Sequence, residues 1–437
     1  MSASSAKGAA DGPMPGVLWV KAPAAGPHDD VASVEAVVRE VVEAVRARGD
    51  DAVRELSERF DGVRPETLEI GEAERLAAVD GLEPQAREDM DFAIDNVRRF
   101  AEAQLGTIRP LEIETLPGVR LGHRLVPIER VGCYVPGGRF PLLSAPLMSV
   151  VPAAVAGVDE IVACLPPNAH PAMLAGCHLS GAHRVFRIGG AQAIAAMAHG
   201  TESVPAVDKI VGPGNAWVNE AKRQVFGRVG IDQLAGPSEI FVVADATGEA
   251  RTIATDLLAQ AEHDPRTRVG LITTSRALAE GVLGEIDAQL ATLPTASVAG
   301  PAWRDRGEIT LAEDESAMIR YSDAVAAEHL QVHTADAEAF SHRLRHYGSL
   351  FVGEWSSVVY SDKCAGTNHT LPTMGAGRHT GGLWVGTYLK IVTVQTLDER
   401  GARALAPSAA RQSANEGLEG HRRAAALRLE WLQAHDR

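Results

Sequence analysis

The chain has 437 residues, of which 45% are hydrophobic and 23% charged, and 42 Lys and Arg against 57 Asp and Glu give it a formal charge of −15. That length exceeds a single core and predicts about two to three domains. The sequence contains no run of about 18 apolar residues that could span a bilayer, and the acidic balance argues against a nucleic-acid partner, whose backbone is gripped by clustered Lys and Arg. A small-molecule ligand is the expectation. The four cysteines, Cys133, Cys164, Cys177 and Cys364, are widely separated, which predicts reduced thiols in a cytoplasmic protein rather than a zinc knuckle or a disulfide framework.

Residues 1–12 are small and polar and lack the apolar stretch of a secretory signal, so 1–29 are expected to form a disordered lead-in. From Asp30, Val34, Val37, Val38, Val41 and Val45 recur at helical spacing, with Gly49 where a C-terminal cap falls and Asp50 or Asp51 placed to cap a second helix over 52–60. A third helix is expected over about 83–104. Between 119 and 135 short apolar runs with Gly and Pro predict strands and turns.

The segment 151–236 alternates regularly: strand 160–164, helix 171–180, strand 184–188, helix 191–199, strand 209–211. Such alternation implies a parallel sheet with helices on its faces. Two strand ends carry glycine turns, Gly189-Gly190-Ala191-Gln192 and Gly212-Pro213-Gly214-Asn215, and ligands of open α/β sheets bind outside the carboxyl ends of strands. Neither turn is the G-x-G-x-x-G fingerprint, so tight turning explains the glycines as readily as a cofactor does. A second α/β unit follows, with strands at 240–244, 269–274, near 330–332 and near 350–352, and helices ending at His263 and spanning 277–290. Ser408 after Pro407 is a candidate cap for a helical tail that Gly417 and Gly420 interrupt before 422–434. The expected fold is therefore α/β: two Rossmann-like domains with parallel sheets flanking a cleft, plus leading helices and a helical tail. Residues 30–133 and 238–385 are assigned to a first domain, 134–237 to a second, and 386–437 to the tail.

The polar candidates are ambiguous one at a time. Asp256, Gln260 and His263 share a helix face at spacings of four and three, and an imidazole with an amide oxygen one turn earlier is half of a metal site. A His at a helix end more often meets the last carbonyls and the helix dipole. Glu328-His329 before a strand suits acid–base chemistry, yet an exposed Glu-His pair is more often plain surface. Asp362 and His369 flank the turn Gly366-Thr367-Asn368. Ser238 sits at a turn before a strand, and Glu416 and His421 lie beside the two tail glycines.

As ordered segments these residues resemble a family. Tyr134-Val135-Pro136-Gly137-Gly138, Arg187-Ile188-Gly189-Gly190-Ala191-Gln192-Ala193, Val207-Asp208-Lys209-Ile210-Val211-Gly212-Pro213-Gly214-Asn215, Ala235-Gly236-Pro237-Ser238-Glu239, Gln260-Ala261-Glu262-His263, Glu328-His329-Leu330 and Gly366-Thr367-Asn368-His369 resemble those of histidinol dehydrogenases, in the family's order. The resemblance covers nearly the whole chain from about residue 30. It implies a zinc- and NAD-dependent homodimer that oxidises a primary alcohol to a carboxylate in two hydride transfers through a held aldehyde, L-histidinol to L-histidine in the biosynthetic members. By position it implies Gln260, His263, Asp362 and His421 as zinc ligands, with His421 given by the partner's tail, and Glu328 and His329 as the acid–base pair. It further implies Tyr134, Gln192 and Asn215 at NAD, and Ser238, His369 and Glu416 at the substrate, which the ligands Gln260, His263, Asp362 and His421 and the base His329 also meet.

A Gln/His/Asp/His set carries one formal charge against the ion's two, leaving the metal able to take a further ligand from the substrate. Around the substrate, Arg139-Phe140-Pro141-Leu142-Leu143-Ser144 and His379-Thr380-Gly381-Gly382-Leu383-Trp384-Val385-Gly386 depart from the biosynthetic pattern and look more like paralogues that oxidise other alcohols, including 2,3-dihydroxypropane-1-sulfonate. Arg139, Arg378 and His379 could pair with an anionic head group, or simply be surface. A zinc hydrolase would share the Glu base and metal but has no need of strand-end glycine turns. A non-catalytic nucleotide or sugar binder would keep the turns and lose the Glu-His pair.

Overall fold

Runs of β-branched residues separated by helices build two parallel sheets in the computed structural model, which describes residues 13–24, 31–137 and 140–435. The strands are β1 (Val17–Lys21), β2 (Leu111–Leu116), β3 (Val119–Pro127), β4 (Arg130–Tyr134), β5 (Glu160–Leu165), β6 (Arg184–Arg187), β7 (Lys209–Val211), β8 (Gly230–Ile231), β9 (Glu239–Ala244), β10 (Arg268–Thr273), β11 (Glu308–Ala312), β12 (His329–His333), β13 (Ser349–Val352) and β14 (Leu389–Leu397). A five-stranded sheet runs in the order β6-β5-β4-β7-β8 with every pair parallel. A six-stranded sheet runs β1-β11-β10-β9-β12-β13, parallel except for the antiparallel edge strand β1. Each sheet reverses its order once, between β4 and β7 and between β9 and β12, and such reversals open crevices in doubly wound sheets. All six residues of β9 are buried, as expected of a parallel strand covered by helices on both faces.

The structure moves several expected boundaries. Part of the lead-in is ordered: Val17 is 1% exposed and β1 pairs with β11, because an apolar run beside an open edge gains ladder hydrogen bonds there. Residues 1–12 and 25–30 lie outside the described residues. The leading helices Val31–Arg48 and Asp50–Asp61 were assigned with the six-stranded unit, yet Val38, Val41, Val45 and Val53 share a core with Phe186, Ile194 and Ile210 of the five-stranded one. Their valine stripe fits the face nearest in space, which chain order does not reveal. Asp50 caps nothing. It is the first residue of its helix, behind Gly49, and its carboxylate turns inward to accept hydrogen bonds from Thr201 and Ser203. Residues 111–127 join neither parallel sheet. With β14 they form an antiparallel sheet, β14-β3-β2, so the tail begins with a strand. After it, Glu399–Asn415 is one helix that contains Pro407 and is capped by Asp398, so Ser408 is interior rather than a cap. Glu419–His435 packs against it. Among the described residues no helix is long and apolar enough to cross a membrane. Cys133, Cys164 and Cys177 are buried and all four cysteines are unpaired.

One polar contact inside the five-stranded unit governs a strand end. Lys222 is fully buried, pairs with the Asp232 carboxylate, and donates to the Gly212 carbonyl at 3.0 Å. The other oxygen of Asp232 accepts the Gly212 N–H at 2.8 Å, so both backbone groups of the first turn residue are held. Gly212 has φ +117°, and a Cβ there would collide with the Tyr134 carbonyl, so no other residue fits. Lys222→Met should cost about 3–5 kcal/mol of unfolding free energy by stranding a buried carboxylate, and adding Asp232→Asn should recover part of it. Chemical denaturation followed by fluorescence measures both; equal stability of wild type and single variant would show that the pair carries no such role.

Candidate active site

The two sheets face one another across a cavity of about 1360 Å³. Tyr134, Gln192 and Asn215 line it from the carboxyl ends of β4, β6 and β7, whereas Ser238, Glu328 and His329 line it from the amino ends of β9 and β12. The strand-end rule thus holds for the five-stranded sheet and is inverted for the six-stranded one.

Glu328 and His329, expected at an exposed edge, are instead 6% and 2% exposed. Both are held by one backbone unit. The Glu239 N–H donates to Glu328 Oε2 at 2.8 Å, and the Glu239 carbonyl lies 2.8 Å from His329 Nδ1. A carbonyl only accepts, so Nδ1 carries the proton and Nε2 keeps its lone pair. That Nε2 is buried and has no hydrogen-bond partner. Burial holds the His329 imidazole below its usual pKa and pushes the Glu328 carboxyl well above the carboxylate range, the nearby Glu239 and Asp362 carboxylates adding to the latter. At neutral pH His329 is therefore an unprotonated ring with a free nitrogen.

Asp362 is 8% exposed and sits among three rings, 3.8 Å from His263 Nε2, 4.0 Å from His329 Nε2 and 3.9 Å from His369 Nδ1. Burial lowers the pKa of all three imidazoles, so these are contacts of neutral rings with a carboxylate rather than ion pairs. His369 Nδ1 donates to the Asp362 backbone carbonyl at 3.2 Å, which fixes its tautomer. Gln260, 3% exposed, ends the helix Ala250–Ala261; His263 lies just past it, its N–H on the Gln260 carbonyl at 3.1 Å. All five residues line the cavity. Among the described residues no cluster of three or more His, Cys, Asp or Glu is spaced to hold a metal. Of the zinc set that the resemblance implies, this chain's cavity offers one residue of another type, Gln260, with His263 and Asp362.

On the opposite wall the Gly190 N–H donates to the Tyr134 hydroxyl at 3.1 Å, and burial pushes that phenol up to about 12. Gln192, 1% exposed, donates to Asp61 Oδ2 at 3.2 Å. Asn215 caps the helix Ala216–Val225 by accepting from Trp217 and Val218, leaving its amide nitrogen for another acceptor.

The remaining candidates fall elsewhere. Glu416 and His421 are exposed in the tail and do not line the cavity. Arg378 turns its guanidinium to the carbonyls of Gly375 and Ala324, and His379 is exposed; neither lines the cavity. Arg139 lies outside the described residues. Sequence reasoning missed Glu239, which acts through its backbone, so its side-chain type carried no signal. It also missed Asp61 at a helix end and Lys363 beside Asp362, both lining the cavity. Met374, at φ +52°, is strained into the left-handed region at the rim, its N–H on Glu239 Oε1 at 3.2 Å.

A histidinol dehydrogenase family model matches residues 25–429. The chain is 47% identical over 401 residues to a histidinol dehydrogenase homolog of Mesorhizobium japonicum (91% of this chain, 80% of the relative). It is 43% identical over 406 residues to the sulfopropanediol 3-dehydrogenase of Ruegeria pomeroyi (92% and 93%). It is also 41% identical over 412 residues to the histidinol dehydrogenase of Aromatoleum aromaticum (93% and 92%). The crystal structure of histidinol dehydrogenase from Elizabethkingia anophelis superposes with a TM-score of 0.88 at 33% identity, covering 94% of this chain and 95% of that one. With the buried Glu328 and His329 facing strand-end glycine turns across one cleft, and with family likeness along almost the whole sequence, the chain belongs to the histidinol dehydrogenase family of NAD-dependent oxidoreductases acting on CH–OH donors.

Proposed function

We propose that this enzyme oxidises a primary alcohol, through an aldehyde kept in the cleft, to a carboxylate in two hydride transfers to NAD, with L-histidinol as substrate and one zinc per subunit. The observation that carries this reading is His329: a neutral, buried base in the cavity wall whose Nδ1 is occupied and whose Nε2 has no hydrogen-bond partner. Bound zinc would supply positive charge beside the alcohol oxygen and bound NAD the hydride acceptor, since zinc has no redox chemistry of its own.

The residues of this chain divide the remaining work. His329 Nε2 takes the alcohol proton as hydride leaves carbon. Glu328 then removes a proton from the water that adds to the aldehyde, and His329, having released its first proton to solvent, takes the hydrate's proton in the second transfer. Keeping the aldehyde bound in the cleft protects it from side reactions. Gln260, His263 and Asp362 would hold the metal. An amide oxygen, a neutral imidazole and a carboxylate suit zinc, and the 3.8 Å between His263 Nε2 and Asp362 Oδ2 is within reach of two bonds of about 2.0–2.2 Å to one ion. Tyr134, Gln192 and Asn215 would contact NAD, and Ser238 and His369 the substrate. His421 and Glu416, remote from their own cleft, would complete the zinc and substrate sets of a second copy in a homodimer.

A second reading keeps the chemistry and changes the alcohol. The sulfopropanediol enzyme of Ruegeria pomeroyi is as similar to this chain as the histidinol enzymes, and Lys363 puts a cation on the cleft wall beside Asp362. Arg378 and His379 lend this reading no support, because neither reaches the cavity.

Following NADH absorbance with L-histidinol and with 2,3-dihydroxypropane-1-sulfonate should show one alcohol favoured by about 100-fold in kcat/KM, worth roughly 2.7 kcal/mol, and activity lost after chelation and restored by zinc. No NAD reduction with either alcohol, or full activity in metal-free protein, would overturn the corresponding part. Because burial raises the Glu328 pKa, the carboxylate forms only as pH rises, so the alcohol-to-acid rate should climb through that raised value. Glu328→Gln should abolish this limb and lower the rate by roughly 10²–10⁴; an unchanged pH profile in the variant would remove Glu328 from the mechanism. Mixing inactive His421→Ala and Glu328→Gln subunits should restore partial activity, since one cleft of the mixed dimer would then hold both intact groups. Verified mixed dimers without activity would argue for self-contained subunits.

A further inference from the structure

Asp256 shares a helix face with Gln260, one turn before it, but does not line the cavity. Its carboxylate is fully engaged elsewhere. Oδ1 accepts the Ser357 hydroxyl at 2.8 Å, and Oδ2 accepts Gln331 Nε2 at 3.0 Å. Ser357 is the N-cap of the helix Val358–Lys363, which carries Asp362, and its hydroxyl also accepts the Val359 N–H at 3.4 Å. Gln331 is fully buried and lies two residues along β12 from His329, on the same side of the sheet. One carboxylate therefore joins the three elements that bear Gln260, His329 and Asp362.

We infer that Asp256 is a positioning residue: it sets the spacing of the metal-side groups and the base without touching substrate or ion. The inference rests on the reading of the site given above. A helix of six residues has too few internal hydrogen bonds to define its own orientation, so the direction in which Asp362 points depends on what its cap is tied to. Bonds to an ionised carboxylate are the stronger kind, and here they run to two different elements. The Gln331 amide has a second, weaker contact with the Ser356 carbonyl at 3.5 Å, in the same cap, and its Oε1 has no partner. The strand is thereby registered against the short helix through Asp256 as well.

Asp256→Ala and Asp256→Asn separate positioning from bulk stability. Asparagine retains an acceptor for Ser357, and its amide can donate to the idle Gln331 Oε1 once that amide turns over. Asp256→Ala should lose on the order of 10–100-fold in kcat/KM for the alcohol, mainly in kcat, and should retain less zinc per subunit after dialysis by elemental analysis; Asp256→Asn should stay within about threefold of wild type on both. Wild-type activity and zinc content in Asp256→Ala would overturn the inference. So would equal losses in both variants accompanied by equal falls in melting temperature, the mark of a merely structural charge. If Asp256→Ala is insoluble, Ser357→Ala removes one arm and should show the same losses with rescue by Ser357→Thr; a fully active Ser357→Ala would overturn the inference. If the wild type itself retains no zinc, the metal reading fails, and Asp256 is then judged on kcat and the asparagine rescue.

Discussion

The backbone of Glu239 holds two buried side chains of the cleft, its N–H on Glu328 and its carbonyl on His329. The geometry of that wall depends on the register of two strands. β9 and β12 are neighbours at the point where the six-stranded sheet reverses its order, with His329 opposite Ile240. Glu239, the first residue of β9, thus lies one step before the residue opposite His329, and its N–H and carbonyl are spent on side chains. A slip by one residue would turn His329 to the other face of the sheet. Because the contact to His329 is made by a carbonyl, it selects the tautomer as well as the ring orientation, and it does so with a group that costs no reorganisation when a proton arrives.

Two sheets of the same winding order meet in this molecule by opposite ends. The five-stranded sheet presents carboxyl ends, where glycines let backbone come close to a ligand, and the six-stranded sheet presents amino ends, where Ser238, Glu328 and His329 gather. A hydride donor bound at one wall and an acceptor at the other would then face each other across one cavity. Burial provides the electrostatics: it removes the charge from His263, His329 and His369, leaving the neutral rings that ligation or proton acceptance needs, and it resists ionisation of Glu328.

Much of this was legible in residues met in order. The βαβ alternation over 151–236 matches β5 to β7 and their helices, and Gly212 proves to sit at a position that only glycine fits. Gln260, His263, Glu328, His329, Asp362 and His369 do converge on one cavity. Other readings failed where local pattern competed with packing. Pro407 looked like a break and is carried inside a helix. Asp50 has the composition of a cap and serves as a buried acceptor. Asp256, which shared a face with Gln260 and had no role by resemblance, links three elements across long sequence gaps.

The sequence by itself determined the α/β class, the strand-end turns and the identity of the polar groups, because periodicity, glycine and chemistry-bearing side chains are properties of short stretches. Only the tertiary structure decided that the leading helices serve the five-stranded sheet, that Glu328 and His329 are buried rather than exposed, and that Glu416 and His421 stand away from their own cleft. Those outcomes depend on which surfaces meet in space, and contacts between residues far apart in the chain leave no periodic trace along it.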